Sequence, residues 1–422
     1  MRANISEVLQ GRATAQPETT GSSTRQSAAD GVSRTGRRRP VTPKLAVTFA
    51  SAVALASVAA CGSSSPPAGS STASSGSSGG GSGTSANVAA AQAAINAFTG
   101  HPSAFPVSTP LSKPLPKGTK FVFMQCSTPV CGQVAKSFAG AVKAIGGELS
   151  VVNAGATAQS AQAAAATALA MKPKVVLLSG TDPTLYGSGL KALSDAGTKV
   201  VSIQVNKDVK PFGISFNYLG TDLSAQNGKL LADWVFAKKG AKANAVFYSL
   251  PALDLSSHVQ EAFQTELKKV CPTCKSRVVP IDVATAGTTS AQTVVTDLQS
   301  HPDANVAVFV SFQVATGLPA ALKAAGKTMT TVGFGPTTSN LQDIKDGGLT
   351  AGLAIDFPVS IWTAVDTAAR LVLGDQPSKG AQSGQVPEQF LSQKDITFDP
   401  SKGWTGYPDF VQRFLKLWHP AS

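Results

Sequence analysis

Histidine, cysteine and aromatic side chains are all scarce in this chain of 422 residues, and each scarcity removes a class of function. The four histidines, His101, His258, His301 and His419, are spread along the chain and form no ligand cluster, so neither a metal nor another cofactor is expected. Outside the Ser/Gly-rich stretch 62–85 there is no G-x-S-x-G elbow, and there is no H-E-x-x-H pair and no Ser-His-Asp or Cys-His pattern, which argues against an enzyme. Gly326-Lys327-Thr328 matches the end of a phosphate-binding loop, but position 321 is Ala and the segment follows a helix instead of opening one. Aromatics are 6% of residues and do not interleave with basic runs, so the formal charge of +12 does not describe a nucleic-acid surface. Residues 1–60 hold eight Lys and Arg and three Asp and Glu; residues 61–422 hold 28 and 21, a dispersed +7.

What is present begins with a leader. Arg37, Arg38, Arg39 and Lys44 precede sixteen uncharged residues, 45–60, most of them small. That is a signal-peptide pattern, and the run is short for a membrane span, which needs about 20 apolar residues. It ends Val58-Ala59-Ala60-Cys61-Gly62, which resembles the lipobox of bacterial lipoproteins; the resemblance implies cleavage before Cys61 and a diacylglycerol on its thiol, hence an anchor on the outer face of the cell membrane. Residues 62–85 are almost entirely Ser, Gly, Ala, Thr and Pro, a flexible tether, and 101–117 form a Pro-rich connector, so the folded body is expected to start near Gly118. The other cysteines fall in two close pairs, Cys126/Cys131 and Cys271/Cys274, which outside the cytoplasm suggest local disulfides or, failing that, free local pairs.

From Gly118 strands and helices alternate. The clearest unit is residues 174–206: an apolar strand to Ser179, a break at Gly180-Thr181-Asp182-Pro183, a helix carrying Leu185, Leu190 and Leu193, a stop at Gly197 and a second strand. The rhythm repeats to about residue 373, and the tail adds a strand near Ile396 and a helix ending near Trp418. Such alternation predicts an α/β protein with parallel sheets, whose ligands bind beyond the carboxyl ends of the strands.

Four stretches carry a family resemblance. Residues 173–205 hold the pattern S-x-x-D-P, helix, A-G, strand; Gly220-Thr221-Asp222 precedes Gln226-Asn227-Gly228; Val332-Gly333-Phe334-Gly335 and the run from Ile344 to Ala351 complete the set. Together they resemble the type I periplasmic-binding-protein fold, and within it the sugar-type solute-binding lipoproteins of bacterial ABC importers. The resemblance implies two Rossmann-like lobes with parallel sheets joined by a three-crossing hinge, near 218–222, 355–357 and 383–386. It divides the chain into a leader (1–60), a tether and connector (61–117), lobe 1 (118–221 with about 356–385), lobe 2 (222–355) and a C-terminal segment (386–422) packing on the lobes. It also implies hinge closure over a small-molecule solute, ABC permease subunits as partners, no nucleic acid, and a monomer.

The strand ends nominate solute ligands: Gln125, Ser127, Thr128, Thr181, Asp182, Gln204 and Asn206 from lobe 1, and Asp254, Phe312, Gln313, Asp356 and Phe357 from lobe 2 and the hinge. Polar members would bond a head group and aromatic ones would stack on an apolar face; alternatively Asp182, Asp254 and Asp356 cap helices or turns. Sugar binders of the resembled family have Arg, Asn-Asp, Asp and Gln where this chain has Val259, Ser311-Phe312, Gly335 and Ile355. Each solute hydroxyl left unpaired in a closed cleft costs roughly 1–3 kcal/mol. A sugar or sugar-like solute is therefore the first expectation, and a less polar or aromatic one stands close behind. A lipoprotein that signals to a membrane receptor is the rival to uptake; a transcription regulator of the same fold would need a DNA-binding head where this chain has a leader and tether.

Overall fold

The computed structural model describes residues 81–102, 104–127 and 129–419; Cys61, the leader and Thr128 lie outside them. Helix α1 (Gly81–Asn96) is followed by β1 (Lys120–Cys126), α2 (Pro129–Ala144), β2 (Glu148–Gly155), α3 (Ala158–Ala170), β3 (Val175–Ser179), α4 (Gly189–Asp195), β4 (Lys199–Ile203) and β5 (Phe216–Tyr218). These five strands make one sheet in the order β2-β1-β3-β4-β5, every pairing parallel. Val175, Val176, Leu177 and Leu178 are wholly buried, so β3 is covered on both faces, which is why its apolar run does not alternate.

The chain then enters a second lobe: α5 (Thr221–Lys239), β6 (Asn244–Ser249), α6 (Leu255–Val270), β7 (Lys275–Pro280), α7 (Ser290–Ser300), β8 (Val306–Phe309), α8 (Leu318–Ala324), β9 (Thr330–Phe334), α9 (Thr338–Lys345) and β10 (Ala351–Ile355). Helix α10 (Phe357–Leu373) returns to the first sheet, where it lies on β4 and α2. After α11 (Lys379–Gln382), β11 (Glu388–Ser392) adds to the second sheet, and α12 (Phe410–Trp418) packs on α10 through stacked Trp362 and Trp418. The second sheet runs β11-β10-β9-β8-β6-β7, with β11 alone antiparallel.

Three local expectations are corrected. The ordered body starts well before Gly118. Ala91 and Ile95 of α1 are buried, α1 lies on α5, and the Pro-rich stretch buries Val107, Leu111 and Leu115 while its carbonyls accept hydrogen bonds from Arg370, Ser378 and Tyr407. Proline removes donors but leaves acceptors, so such a segment can strap a surface without belonging to a sheet. The tail strand is at Glu388–Ser392, not near Ile396: Asp395 accepts from the Ser392 N–H and hydroxyl and turns the chain out of the sheet. The helix expected after Pro183 is a single turn at Pro183–Tyr186, capped by Asp182, and then the separate α4.

Both close cysteine pairs are bonded, which removes the alternative of free local thiols. Cys271–Cys274, with an S–S distance of 2.02 Å, closes the turn between α6 and β7. Cys271 is buried and Cys274 lies at the foot of the edge strand, beside Lys275. That is the amino end of β7, the end of the sheet opposite the strands' carboxyl ends, so this bridge is a local staple away from them.

The chain passes between lobes at β5–α5, β10–α10 and residues 383–387. The passages are tied together: the Tyr218 hydroxyl donates to the Gln385 carbonyl, and the Asp356 N–H to the Pro387 carbonyl at 2.9 Å. Glu388 sits buried there, one oxygen accepting from Gln226 Nε2 at 3.0 Å and with Asn227 beside the carboxyl. Burial pushes its carboxyl up to about 8 against the pull of Gln226 and Asn227. The folded chain thus holds a proton that the unfolded chain, with an ordinary glutamate near 4.5, releases. The stabilisation is complete below pH 4.5 and is lost as pH rises towards 8, on the order of 1 kcal/mol per pH unit in that window. In melting curves between pH 5 and 8.5, Glu388→Gln should lose this slope relative to the wild type and be the more stable protein at the alkaline end; parallel curves would contradict the buried proton.

Candidate functional site

The carboxyl ends of β1, β3 and β4 face those of β8 and β9 across the gap between lobes. A hollow of about 70 Å3 lies there, walled from lobe 1 by Cys126, Val130, Cys131, Val134, Ser179, Gly180 and Gln204. Lobe 2 and the hinge contribute Leu253, Leu255, Val310, Ser311, Gln313, Phe334, Gly335, Thr337 and Phe357. A second hollow of about 150 Å3 adjoins it, sharing Val130, Val134, Thr337 and Phe357 and reaching Trp404 and Lys402. Larger depressions exist, such as a groove of about 630 Å3 between the end of β5 and Glu388, but it shares no lining residue with the first hollow.

Of the sequence-nominated ligands, Gln204, Gln313 and Phe357 line the first hollow together. Gln125, Ser127 and Thr181 do not, although the neighbouring Ser179 does; Thr181 is 7% exposed and turns its hydroxyl to the Ser179 carbonyl. Phe312 is corrected from a stacking surface to a core residue. It is fully buried, stacked on Phe309 at 5.6 Å, and a Cβ on Gly333 would stand 2.6 Å from its ring. Glycine at 333 is what lets that ring lie flat against β9, beneath the cleft floor.

The three aspartates are also redirected. Asp356 is fully buried and caps α10, accepting from Val359 N at 3.0 Å, Thr405 Oγ1 at 2.7 Å and Gly406 N at 2.8 Å; burial pushes its carboxyl up to about 6. Asp182 accepts from Thr184 N at 2.9 Å and from Lys207 Nζ at 2.8 Å; burial raises its carboxyl, but Lys207 and Thr184 outweigh that and hold it below the ordinary range. Asp254, in lobe 2, accepts from the backbone N–H of Asn206 in lobe 1 and lies 3.8 Å from Lys207. Asn206, Lys207, Asp182 and Asp254 therefore form a clasp across the mouth rather than a ring of solute ligands.

What remains facing the hollow is mostly hydrocarbon. The residues that sequence motifs missed are Val130 and Val134, one helical turn apart on α2, with Leu253 and Leu255 before and at the start of α6. The i,i+4 spacing on a helix opening at a strand end was the available signal. The two disulfides differ in their relation to this site. Cys126–Cys131 (S–S 1.97 Å) closes the turn between β1 and α2 and is itself a wall of the hollow, whereas Cys271 and Cys274 are absent from its lining. At Gly335, φ is 63° and a Cβ would lie 3.4 Å from the Phe357 ring, so the glycine gives that ring its place between the two hollows.

A charge-assisted hydrogen bond is worth roughly 1.5–3 kcal/mol, so Asp254→Ala should move the closed-to-open ratio by about tenfold or more towards open. Small-angle scattering of the solute-free chain should then give a larger radius of gyration than the wild type; identical profiles would mean that the clasp does not hold the lobes.

No curated protein matches this chain. Among solved structures, an ABC transporter solute-binding protein from Agrobacterium vitis with bound allitol is 21% identical, covering 66% of this chain and 96% of its own at a TM-score of 0.57. The Caulobacter myo-inositol binding protein, bound to myo-inositol, is 18% identical over 68% and 97%, at 0.59. A putative LacI transcriptional regulator from Bacteroides fragilis superposes equally well, at 14% identity over 66% and 99% and 0.59, so these likenesses speak for fold alone. The family is one of solute-binding proteins rather than enzymes. Its model, described as a periplasmic binding protein domain, matches residues 120–376, well over half of the sequence, and the chain belongs to that family.

Proposed function

We propose that this protein is a lipid-anchored, extracytoplasmic solute-binding protein that captures a small organic solute by closing its lobes and delivers it to an ABC permease. The observation that carries the reading is the hollow between opposed strand ends, to which both lobes contribute walls. A solute touching both walls gains contacts only in the closed form, and that differential contact shifts the population towards closure. The closed surface is then what a permease recognises. Family membership supports an extracytoplasmic location and an importer partner, and the lipobox-like sequence at Cys61 supports the anchor. Allitol and myo-inositol, held by two similar structures, make sugars and polyols the reference class of solutes; the hydrocarbon walls favour a less hydroxylated one.

Two measurements test this. A ligand bound only by the folded form raises the melting temperature, by about 2.7 kcal/mol of stability at a hundredfold excess over Kd. A broad panel of sugars, polyols, nucleosides, aromatic acids and amides should include one such compound, and it should also contract the scattering profile; silence across the panel would argue against solute capture. For the anchor, the wild type expressed in a bacterial host should take up labelled fatty acid and sediment with membranes, whereas Cys61→Ser should do neither. Equal partitioning of the two would remove the lipid from the proposal.

A further inference from the structure

Two side chains in the inter-lobe hollow stand there at a cost to the empty protein. Gln313 is 3% exposed and its Oε1 is buried without a hydrogen-bond partner. A buried acceptor left unpaired destabilises the fold, and leucine would occupy the same room without that penalty. Gln204 holds a φ of 60°, a left-handed backbone that glycine adopts freely and that strains any residue with a Cβ. Strain of this kind persists at binding sites, where the side chain has a use that the backbone conformation opposes. Both residues line the same hollow, Gln204 from the end of β4 in lobe 1 and Gln313 from the segment after β8 in lobe 2.

The surroundings narrow what could pair with them. No Asp, Glu, Lys, Arg or His is among the described residues lining that hollow, so an ionised solute would be stranded without a counter-charge. At the mouth Lys207 is shared between Asp182 and Asp254, and none of the three lines the hollow. The Thr337 hydroxyl already caps α9, accepting from Asn340 N at 3.3 Å. The remaining walls are hydrocarbon or aromatic: Val130, Val134, Leu253, Leu255, Phe334 and Phe357. A carboxamide presents a donor and an acceptor side by side, and its complement is another amide edge.

We infer that the solute is an uncharged ring compound with apolar faces and one polar edge bearing both donor and acceptor, a carboxamide or lactam, held between Gln204 and Gln313. This rests on the solute-capture reading and specifies its ligand. Gln204 and Gln313 are specificity determinants: each lobe supplies one carboxamide, so the edge is satisfied from both sides only when the lobes are closed.

The test is thermal melting of the full chain against three matched sets at equal concentration: benzamide, nicotinamide and thymine; benzoate and nicotinate; D-glucose, D-ribose and mannitol. Only the first set should raise the melting temperature. Gln313→Leu should melt higher than the wild type without solute and bind the first set at least tenfold more weakly; Gln204→Gly should behave the same way. A response to the sugars with silence from the amides overturns the inference and leaves solute capture standing. A response to the acids equal to that of their amides overturns it, as does an undiminished shift in both variants. Silence from all three sets overturns it too, while the broad panel above decides capture independently.

Discussion

A parallel sheet has to be covered on both faces, and that requirement decides where this chain goes. The central strands of both sheets, Val175–Ser179 and Val306–Phe309, are buried almost throughout. Helices drawn from one lobe alone do not complete the cover. Helix α10 leaves the end of β10 in the second sheet and lies on the first, with Ile361, Ala364, Val365 and Ala368 buried beneath it. Its own interior carries an ion pair: Arg370 Nε donates to Asp366 Oδ2 at 2.6 Å, Trp418 Nε1 donates to the same carboxylate at 2.9 Å, and Arg370 reaches the Thr109 carbonyl. One helix thereby fastens the N-terminal strap and the C-terminal helix to lobe 1. A buried charge needs its partners, so removing either Asp366 or Arg370 would leave the other uncompensated beneath the sheet cover.

The same separation governs the acidic groups. Asp356 and Glu388 are buried in the hinge, where burial favours their neutral forms. Asp182 and Asp254 are at the mouth, where Lys207 and the Asn206 N–H keep them engaged. Between them, the described lining of the first hollow carries no charge. On the proposed reading, solute recognition falls to uncharged dipoles and hydrocarbon, while the charged groups lie at the hinge and between the lobes.

Much of the fold was legible because it depends on short-range chemistry. Apolar runs of β-branched residues marked the strands, as at Val175–Ser179, and Gly197 marked the end of α4. The close spacing of Cys271 and Cys274 announced a local bridge in the same way. Less of the site was legible, because exposure depends on the direction in which a side chain leaves its element. Phe312 and Gln313 are adjacent, yet one is core and the other lines the hollow. The aspartates read as solute ligands by position alone; whether a carboxylate meets a solute, a helix N-terminus or a lysine from another loop depends on contacts made over long sequence separations. Asp254 and Asn206, 48 residues apart, illustrate that. The N-terminal strap was hidden for a different reason: its proline-rich composition describes an extended chain equally well whether it lies in water or on a surface.

That strap is also a fourth link between the lobes. Phe98 is pinned to β11 in the second sheet through the Phe390 N–H, and Pro102 is pinned through its carbonyl to Tyr407, in the segment leading to α12 on lobe 1. Four residues span the two pins, a reach of roughly 14 Å when fully drawn out. Lobe movement is therefore leashed on one side: the mouth with its clasp can gape, while the strapped flank can part only by the slack in those few residues. On the proposed solute-capture reading, opening is a swing about a tethered edge, with the side of Lys207 as the free one.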